Sequence, residues 1–304
     1  MARKQSQGQG RIVPDKVYAV ILVGGKGKRL RPLSTDARPK AFLSVTKDRK
    51  TMFAKTVERI SRVVPASDII AVANFKHAGL VKKSFKGIRK ENIILEPVSR
   101  NTAPAVASAS FELASRGCDP IIVVLPADHY ITGSEGYIRA IKQAIAFAGE
   151  NDAVVVMGIE PEFPSTEYGY IRLHGKAVNG KAYKVEKFTE KPDIRTAKDY
   201  IKSGHYLWNS GMFVFRASVM LGLIKLYAPK IDKLLSRGPG KKAPYGKFPN
   251  ISLDYAIMEK AHNIYCVKDK YGWQDIGSFG SLEDVLRRES RGFVEKGGKV
   301  VKIL

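Results

Sequence analysis

The sequence has few cysteines, few acidic residues and no long apolar run, and each shortage narrows the range of functions. The two cysteines, Cys118 and Cys266, stand in no metal-binding or redox spacing, so we expect reduced, buried thiols without a functional role. No apolar run approaches the roughly 18 residues of a membrane span. The N-terminal segment MARKQSQGQGR also lacks the apolar stretch of a signal peptide. The sequence therefore predicts a cytoplasmic protein without a membrane segment.

The shortage of acidic residues leaves a large positive charge. There are 29 Asp and Glu against 52 Lys and Arg, which gives a net charge of +23 and a general attraction for polyanions. The basic residues are spread along the whole chain, and no zinc spacing, RNA-binding aromatic motif or basic-zipper heptad accompanies them. A lysine-rich surface explains most of this charge, and nucleic acid is not the expected partner.

Short β-branched runs alternate with longer helix-like stretches over the first half of the chain. This alternation predicts an α/β fold with a mostly parallel, doubly wound, Rossmann-like sheet. Ligands of such sheets bind beyond the carboxyl ends of the strands, which draws attention to residues 24–40 and 126–129. The predicted strands are 17–23, 69–73, 93–95, 121–125 and 153–157, and the predicted helices are 51–64, 102–116 and 135–149.

The pattern changes after residue 157 to that of a small antiparallel subdomain. Its predicted strands are 168–173, 183–192 and 212–215, its predicted helices are 195–203, 217–227, 252–261 and 281–289, and residues 237–250 are expected to form an exposed loop. The expected division is a disordered arm (1–13), one domain (14–290, with parts 14–157 and 158–290) and a short C-terminal tail (291–304).

The stretch VGGKGKRLRP, residues 23–32, has the composition of a phosphate-binding loop. Glycines allow backbone N–H groups to approach an anion, and Lys and Arg neutralise its charge. A Walker loop is excluded because Arg29 stands where Ser or Thr is required, and the dinucleotide fingerprint fails because Leu30 replaces its third glycine. On this stretch alone, a glycine-rich turn without a ligand remains an alternative.

The longer segment GGKGKRLRPLSTDARPKAF resembles the signature G-G-x-G-x-R-L-x-P-L…P-K of nucleotidyltransferases that make nucleotide sugars. EPVSRNTAP at 96–104 looks like the nucleotide-base segment of mannose-1-phosphate guanylyltransferases, and ISLDYAIMEKA at 251–261 is similar to their pattern. PADHYI, YGYI, FTEKP, WNSGMFVF and WQDIGSF match further family segments in order, so that the resemblance covers about residues 17 to 280.

The resemblance implies a role for each matched position. The implied catalytic residues are Arg29, Lys40 and Lys191. The implied nucleotide-binding residues are Gly24, Gly25, Gly27, Lys28, Glu96, Asn101, Thr102 and Pro126. The implied sugar-phosphate-binding residues are Gly169, Glu190, Lys191, Asn209 and Gly211, and the implied Mg²⁺ ligands are Asp128 and Asp275. Lys28 departs from the many relatives that have Thr at its position, which puts a hydroxyl contact to the nucleotide in doubt.

The implied reaction is attack by the phosphate of mannose 1-phosphate on the α-phosphorus of GTP, which yields GDP-mannose and pyrophosphate. The second pKa of a phosphate monoester is about 6, so the nucleophile is already ionised and needs no strong general base. Another sugar 1-phosphate, another nucleoside triphosphate and a non-catalytic regulatory module remain alternatives. A homodimer is left open, and the isomerase domain that many relatives carry is not expected beyond the tail 291–304.

Overall fold

The computed structural model describes residues 16–25, 27–236, 244–296 and 299–304, and the predicted disordered arm (1–13) lies outside these ranges. The helices are α1 (Met52–Ile60), α2 (Ala78–Ser84), α3 (Thr102–Ala114), α4 (Ser134–Glu150), α5 (Ile194–Ser203), α6 (Ala217–Tyr227), α7 (Pro229–Leu235) and α8 (Phe279–Arg288). The strands are β1 (Val17–Val23), β2 (Ile69–Asn74), β3 (Ile93–Glu96), β4 (Ile121–Pro126), β5 (His129–Thr132), β6 (Val154–Ile159), β7 (Gly169–Val178), β8 (Ala182–Thr189), β9 (Tyr206–Arg216), β10 (Ile264–Lys268), β11 (Gly272–Asp275), β12 (Phe293–Lys296) and β13 (Lys299–Ile303).

The central sheet is covered by helices on both faces. Strands β1, β4 and β6 are continuous apolar runs because both of their faces are buried. On one face, apolar residues of α1 and α4 pack against the sheet, and those of α3 and α6 pack on the other face. The two apolar clusters are the main source of stability, since apolar burial is the dominant favourable contribution to folding.

The sheet is mixed: its first four strands are parallel as predicted, and β6 and β10 run in the same direction beyond an antiparallel β9. Within the described residues nine strands run in the order β3-β2-β1-β4-β9-β6-β10-β8-β7. The pairs β3–β2, β2–β1 and β1–β4 are parallel, but β9 lies antiparallel between β4 and β6. Because β9 fills the centre of the sheet, the second half of the fold departs from a doubly wound parallel arrangement.

Strand β9 is longer than the predicted strand 212–215. The sequence Asn-Ser-Gly at 209–211 reads as a turn, yet the structure keeps it inside the strand as a local irregularity. Gly211 has φ +69°, and its N–H donates to the side-chain oxygen of Asn209 at 3.0 Å. The polar residues that looked like a turn therefore form an internal distortion of a strand, which is typical of sites near ligands.

The predicted antiparallel subdomain is joined to the main sheet. Strand β7 pairs with β8, β8 with β10, and β7 also with the first part of β9. Together with the β9–β6 and β6–β10 pairs, these contacts close a ring of five strands. Strand β9 therefore belongs both to the part predicted to bind the nucleotide and to the part predicted to bind the sugar phosphate.

Several segments differ from their predicted conformation. The predicted helix 252–261 reduces to one π-helical turn, Asp254–Met258. In the predicted exposed loop 237–250, residues 237–243 lie outside the described ranges, while Tyr245 and Phe248 are buried in the core. Strands β12 and β13 form a hairpin in the predicted tail 291–304. Cys266 is buried as predicted, but Cys118 is only half-buried, and both thiols are free.

Candidate active site

The glycine loop leaves β1 at its carboxyl end and folds tightly against the residues that follow it. Gly25 and Gly27 have φ +91° and +56°, values that glycine adopts without strain. A Cβ atom on Gly27 would lie 3.0 Å from both the Cβ of Lys40 and the hydroxyl of Ser34. The Ser34 hydroxyl donates to the carbonyl oxygen of Gly27. Glycine at position 27 thus allows the loop to approach Lys40.

Two neighbouring cavities open beyond the carboxyl ends of β1 and β4. We call the first, of about 370 Å³, the cleft; the predicted residues that line it are Gly24, Gly25, Glu96, Asn101, Thr102, Pro126, Asp128, Gly211 and Asp275. The second, of about 400 Å³, is lined by the predicted residues Gly25, Gly27, Lys28, Arg29, Lys40, Asp128 and Asp275. The two cavities share Gly25, Asp128 and Asp275, so one pair of carboxylates faces both spaces.

Lys40 lies at the centre of the charge in this site. Its side chain is buried, and its Nζ lies 2.9 Å from Asp128 Oδ2 and also forms an ion pair with Asp275 Oδ1. Burial by itself lowers the pKa of Lys40, but the two carboxylates outweigh it and the net pKa is raised. The same ammonium holds the pKa of Asp275 below its usual range against the effect of burial. Asp128 and Asp275 therefore already share one cation.

The arrangement of Asp128 and Asp275 around one ammonium group shows whether these two carboxylates could also hold a metal ion. Two hard carboxylates around one positive charge suit Mg²⁺, which commonly takes one or two carboxylates and completes its shell with water and substrate phosphates. Among the described residues no cluster of three or more Asp, Glu, His or Cys side chains surrounds a metal position. The donor set fits an ion held jointly by protein and substrate.

His129 is buried and follows Asp128 directly at the start of β5. Its Nδ1 accepts a hydrogen bond from the indole N–H of Trp273 at 3.1 Å, so the proton of the neutral ring lies on Nε2. Burial lowers the pKa of His129, which favours the neutral ring. A structural role suits this histidine, since its ring packs edge-on against Trp273 where β5 pairs with β11.

The predicted nucleotide side is organised around the start of α3. Asn101 caps this helix by accepting the Thr102 N–H at 2.9 Å, and the Thr102 hydroxyl accepts the Leu253 N–H at 2.8 Å. Glu96 is buried, and its carboxylate accepts a hydrogen bond from the hydroxyl of Tyr245 at 2.7 Å. Burial raises the pKa of Glu96. One oxygen of Glu96 is thus already occupied by the protein.

The residues predicted to bind the sugar phosphate form a second group, which reaches the cleft through a contact with Asp254. The Asn209 side chain donates to Asp254 Oδ1 at 3.0 Å, and Asp254 lines the cleft. Lys191, which has φ +46°, pairs with the carboxylate of Glu190. A Cβ atom on Gly169 would lie 2.6 Å from Glu190 Oε2, so glycine at this position makes room for that carboxylate.

Asp254 and Glu167 belong to the site although the sequence interpretation did not single them out. Burial, followed by the charge of Glu190, raises the pKa of Asp254. Glu167 pairs with Arg29, whose side chain is exposed at the edge of the site. An acid inside the apolar segment ISLDYAIM was a signal for Asp254, whereas Glu167 has no signal beyond its place before YGYI.

Comparison with known proteins shows the family of the chain. Residues 18–291 match the sequence model of the family described as Nucleotidyl transferase. The chain belongs to the nucleotidyl transferase family. It is 40% identical over 293 residues to the mannose-1-phosphate guanylyltransferase RfbM of Salmonella typhimurium, a match that covers 91% of this chain and 60% of the relative. The mannose-1-phosphate guanylyltransferase of Escherichia coli K12 is 38% identical, over 93% of this chain and 62% of its own.

A solved structure shares the fold. A Thermus thermophilus structure described as a mannose-1-phosphate geranyltransferase has a TM-score of 0.82 and 37% identity, over 89% of this chain and 79% of that chain. The present chain spans about three fifths of the length of the curated relatives RfbM and the E. coli enzyme. No helix in the described part of the chain is long and apolar enough to cross a membrane.

Proposed function

We propose that this chain transfers GMP from GTP to mannose 1-phosphate and releases pyrophosphate. The observation that carries the proposal is the position of Lys40 between Asp128 and Asp275, at the point where both cavities of the site meet. The relatives named for this activity, at 38–40% identity, support the choice of sugar and nucleotide.

The main obstacle to this reaction is electrostatic. Two unit charges about 4 Å apart repel by about 4 kcal/mol at an effective dielectric constant of about 20, and here two polyanions must meet. Catalysis therefore depends on positioning and on neutralising charge. Backbone N–H groups of Gly24, Gly25 and Gly27 would hold the triphosphate, and Lys28 and Arg29 stand at the edge of the same cavity.

Each predicted cation has a task in this scheme. Lys191 would hold the phosphate of the sugar, Arg29 would stabilise the departing pyrophosphate, and Lys40 would contact the phosphates from its place behind the glycine loop. Mg²⁺, held by Asp128 and Asp275, would supply further neutralisation of the triphosphate when bound.

The remaining predicted residues bind the two organic groups. Glu96, Asn101, Thr102 and Pro126 line the cleft where it meets α3, so we assign them to the nucleoside. Glu190, Asn209 and the backbone at Gly169 and Gly211 surround the part of the site next to Asp254, so we assign them to the sugar. Carboxylate and amide groups are well suited to accept and donate hydrogen bonds to sugar hydroxyls.

The test is pyrophosphate release from the purified protein with Mg²⁺. Mannose 1-phosphate and glucose 1-phosphate are each offered with GTP, ATP, UTP and dTTP. Asp128→Asn is compared with Asp152→Asn, which changes an exposed aspartate in the same way. We expect release with GTP and mannose 1-phosphate that Asp128→Asn abolishes and Asp152→Asn retains. Turnover with another pair of substrates would overturn the specificity, and no turnover with any pair would favour a regulatory module.

A further inference from the structure

A separate cavity lies behind the cleft, on the other side of His129. It has a volume of about 260 Å³ and is enclosed by the loop that follows Lys40, by α1 and by β5. The buried His129 lines both this cavity and the cleft, so the two spaces lie on either side of one residue. We call it the rear cavity. The proposed reaction uses none of the residues that give the rear cavity its charge.

The lining of the rear cavity is rich in basic side chains. They are Lys47, Lys50, Lys55 and Arg59, against the acids Asp48 and Glu289. Asp48 already pairs with Lys55 at 2.8 Å. Glu289 accepts hydrogen bonds from the Lys47 N–H at 3.0 Å and the Tyr130 hydroxyl at 2.8 Å. Lys50 pairs with Glu58, which lies outside the lining. The four basic residues still outnumber the three acids Asp48, Glu58 and Glu289, so the cavity keeps an excess of positive charge.

Arg59 is the buried member of these four basic residues. Its relative exposure is 9%, and burial lowers its pKa. One guanidinium nitrogen donates to the Thr56 hydroxyl at 3.2 Å, and the group lies 5.4 Å from the ring of Tyr137. Its Nε has no hydrogen-bond partner, and within the described ranges no carboxylate forms an ion pair with it. A buried guanidinium without an anion is costly, because buried charges are ordinarily paired.

We propose that the rear cavity binds a phosphate group, held by the guanidinium of Arg59 with Lys47 at the rim, as a second anion site distinct from the cleft. The planar, multiple N–H groups of arginine match the oxygens of phosphate, and two nearby cations without carboxylate partners suit a doubly charged anion better than a singly charged one. Lys47 is exposed and also lines the cavity, so the cavity meets solvent at this residue.

The rear cavity is built from the same segments as the predicted metal pair. Strand β5 forms one wall and directly follows Asp128, and it pairs along its length with β11, which ends at Asp275. The loop on the other wall follows Lys40. A phosphate between Arg59 and this loop would therefore lie next to the segments that hold Lys40 and Asp128, and β5 would connect it to Asp275 through β11.

The test is equilibrium dialysis of labelled inorganic phosphate against the full chain, with and without saturating GTP. No turnover is needed, so the result does not depend on the proposed reaction. Arg59→Gln removes the charge and leaves a shorter, neutral amide that can still donate a hydrogen bond. Lys47→Gln changes an exposed side chain, so we expect it to leave the fold intact. Arg62→Gln removes an exposed charge just beyond α1, the helix that carries Arg59.

We expect Arg59→Gln to weaken one phosphate site at least tenfold and Lys47→Gln to weaken it by a factor of about three. Arg62→Gln should leave it unchanged, and the site should persist in GTP. Competition by pyrophosphate and by mannose 1-phosphate then identifies the source of the phosphate group. Equal binding by wild type, Arg59→Gln and Lys47→Gln would refute the proposal, as would an equal loss in Arg62→Gln.

Discussion

Replacement of Lys40 by methionine tests whether one cation position is shared by the ammonium group and the metal. The change keeps the volume of the side chain but leaves Asp128 and Asp275 facing each other without a positive charge. Removing one partner of a fully buried ion pair costs about 3–5 kcal/mol. The two carboxylates are 20% and 33% exposed, so solvent screening reduces the expected loss to about 2–3 kcal/mol in the absence of divalent ions.

The assay is urea unfolding of both proteins in chelator and in a series of Mg²⁺ concentrations. A ligand at 100 times its Kd stabilises the folded state by about 2.7 kcal/mol. Because Mg²⁺ meets no competing ammonium in Lys40→Met, it should recover most of the lost stability there and stabilise the wild type less. Lys181→Met, which removes an exposed ion pair with Glu150, should cost under about 1 kcal/mol and show no added Mg²⁺ response. Equal Mg²⁺ stabilisation of wild type and Lys40→Met would refute the shared position.

Three further changes probe the sugar side and the edge of the site. The raised pKa of Asp254 means that the folded chain holds a proton that the unfolded chain has lost, so this group's contribution to stability falls as pH rises above about 4, by at most about 1.4 kcal/mol per pH unit. Urea unfolding at several pH values should therefore show that Asp254→Asn gains stability relative to wild type between about pH 4 and 7, and a constant difference would contradict this. Gly169→Ala places a methyl group against Glu190, and we expect the KM for mannose 1-phosphate to rise at least tenfold in steady-state kinetics, with the KM for GTP nearly unchanged. Glu167→Gln frees Arg29 from its ion pair, so the KM for GTP should fall by a factor of two to five, and an increase would show that Glu167 assists nucleotide binding instead.

Local patterns predicted the elements of the first half of the chain well. Continuous apolar runs identified β1 and β4, and α1 begins where Thr51 caps it by accepting the Ala54 N–H at 3.1 Å. The patterns did not predict that an antiparallel strand stands between β4 and β6. Whether β9 pairs antiparallel between β4 and β6 depends on contacts between residues far apart in sequence, and an apolar run carries no information on the direction of its neighbours.

In the site, too, the types of residue were predictable from the sequence, but their contacts with residues far apart in sequence were not. Motifs identified the cations and carboxylates by type, and the structure brings all of the predicted nucleotide and metal residues to the two cavities at the carboxyl ends of β1 and β4. The partners of those residues were not predictable. Tyr245, for example, lies in a Gly- and Pro-rich stretch that indicates an exposed loop, yet it is buried and donates to Glu96.

The three predicted catalytic cations share a property that bears on how the net charge of +23 should be understood. Lys40 pairs with Asp128 and Asp275, Arg29 with Glu167, and Lys191 with Glu190. Each cation thus already has an anionic partner before any substrate arrives, and a phosphate that binds must exchange with it. Such an exchange recovers only the difference between two charge interactions, so general attraction for polyanions contributes little to selectivity. A ligand gains most when it satisfies several cations at once and brings a counter-ion for the released carboxylates. A triphosphate accompanied by a divalent metal meets both conditions.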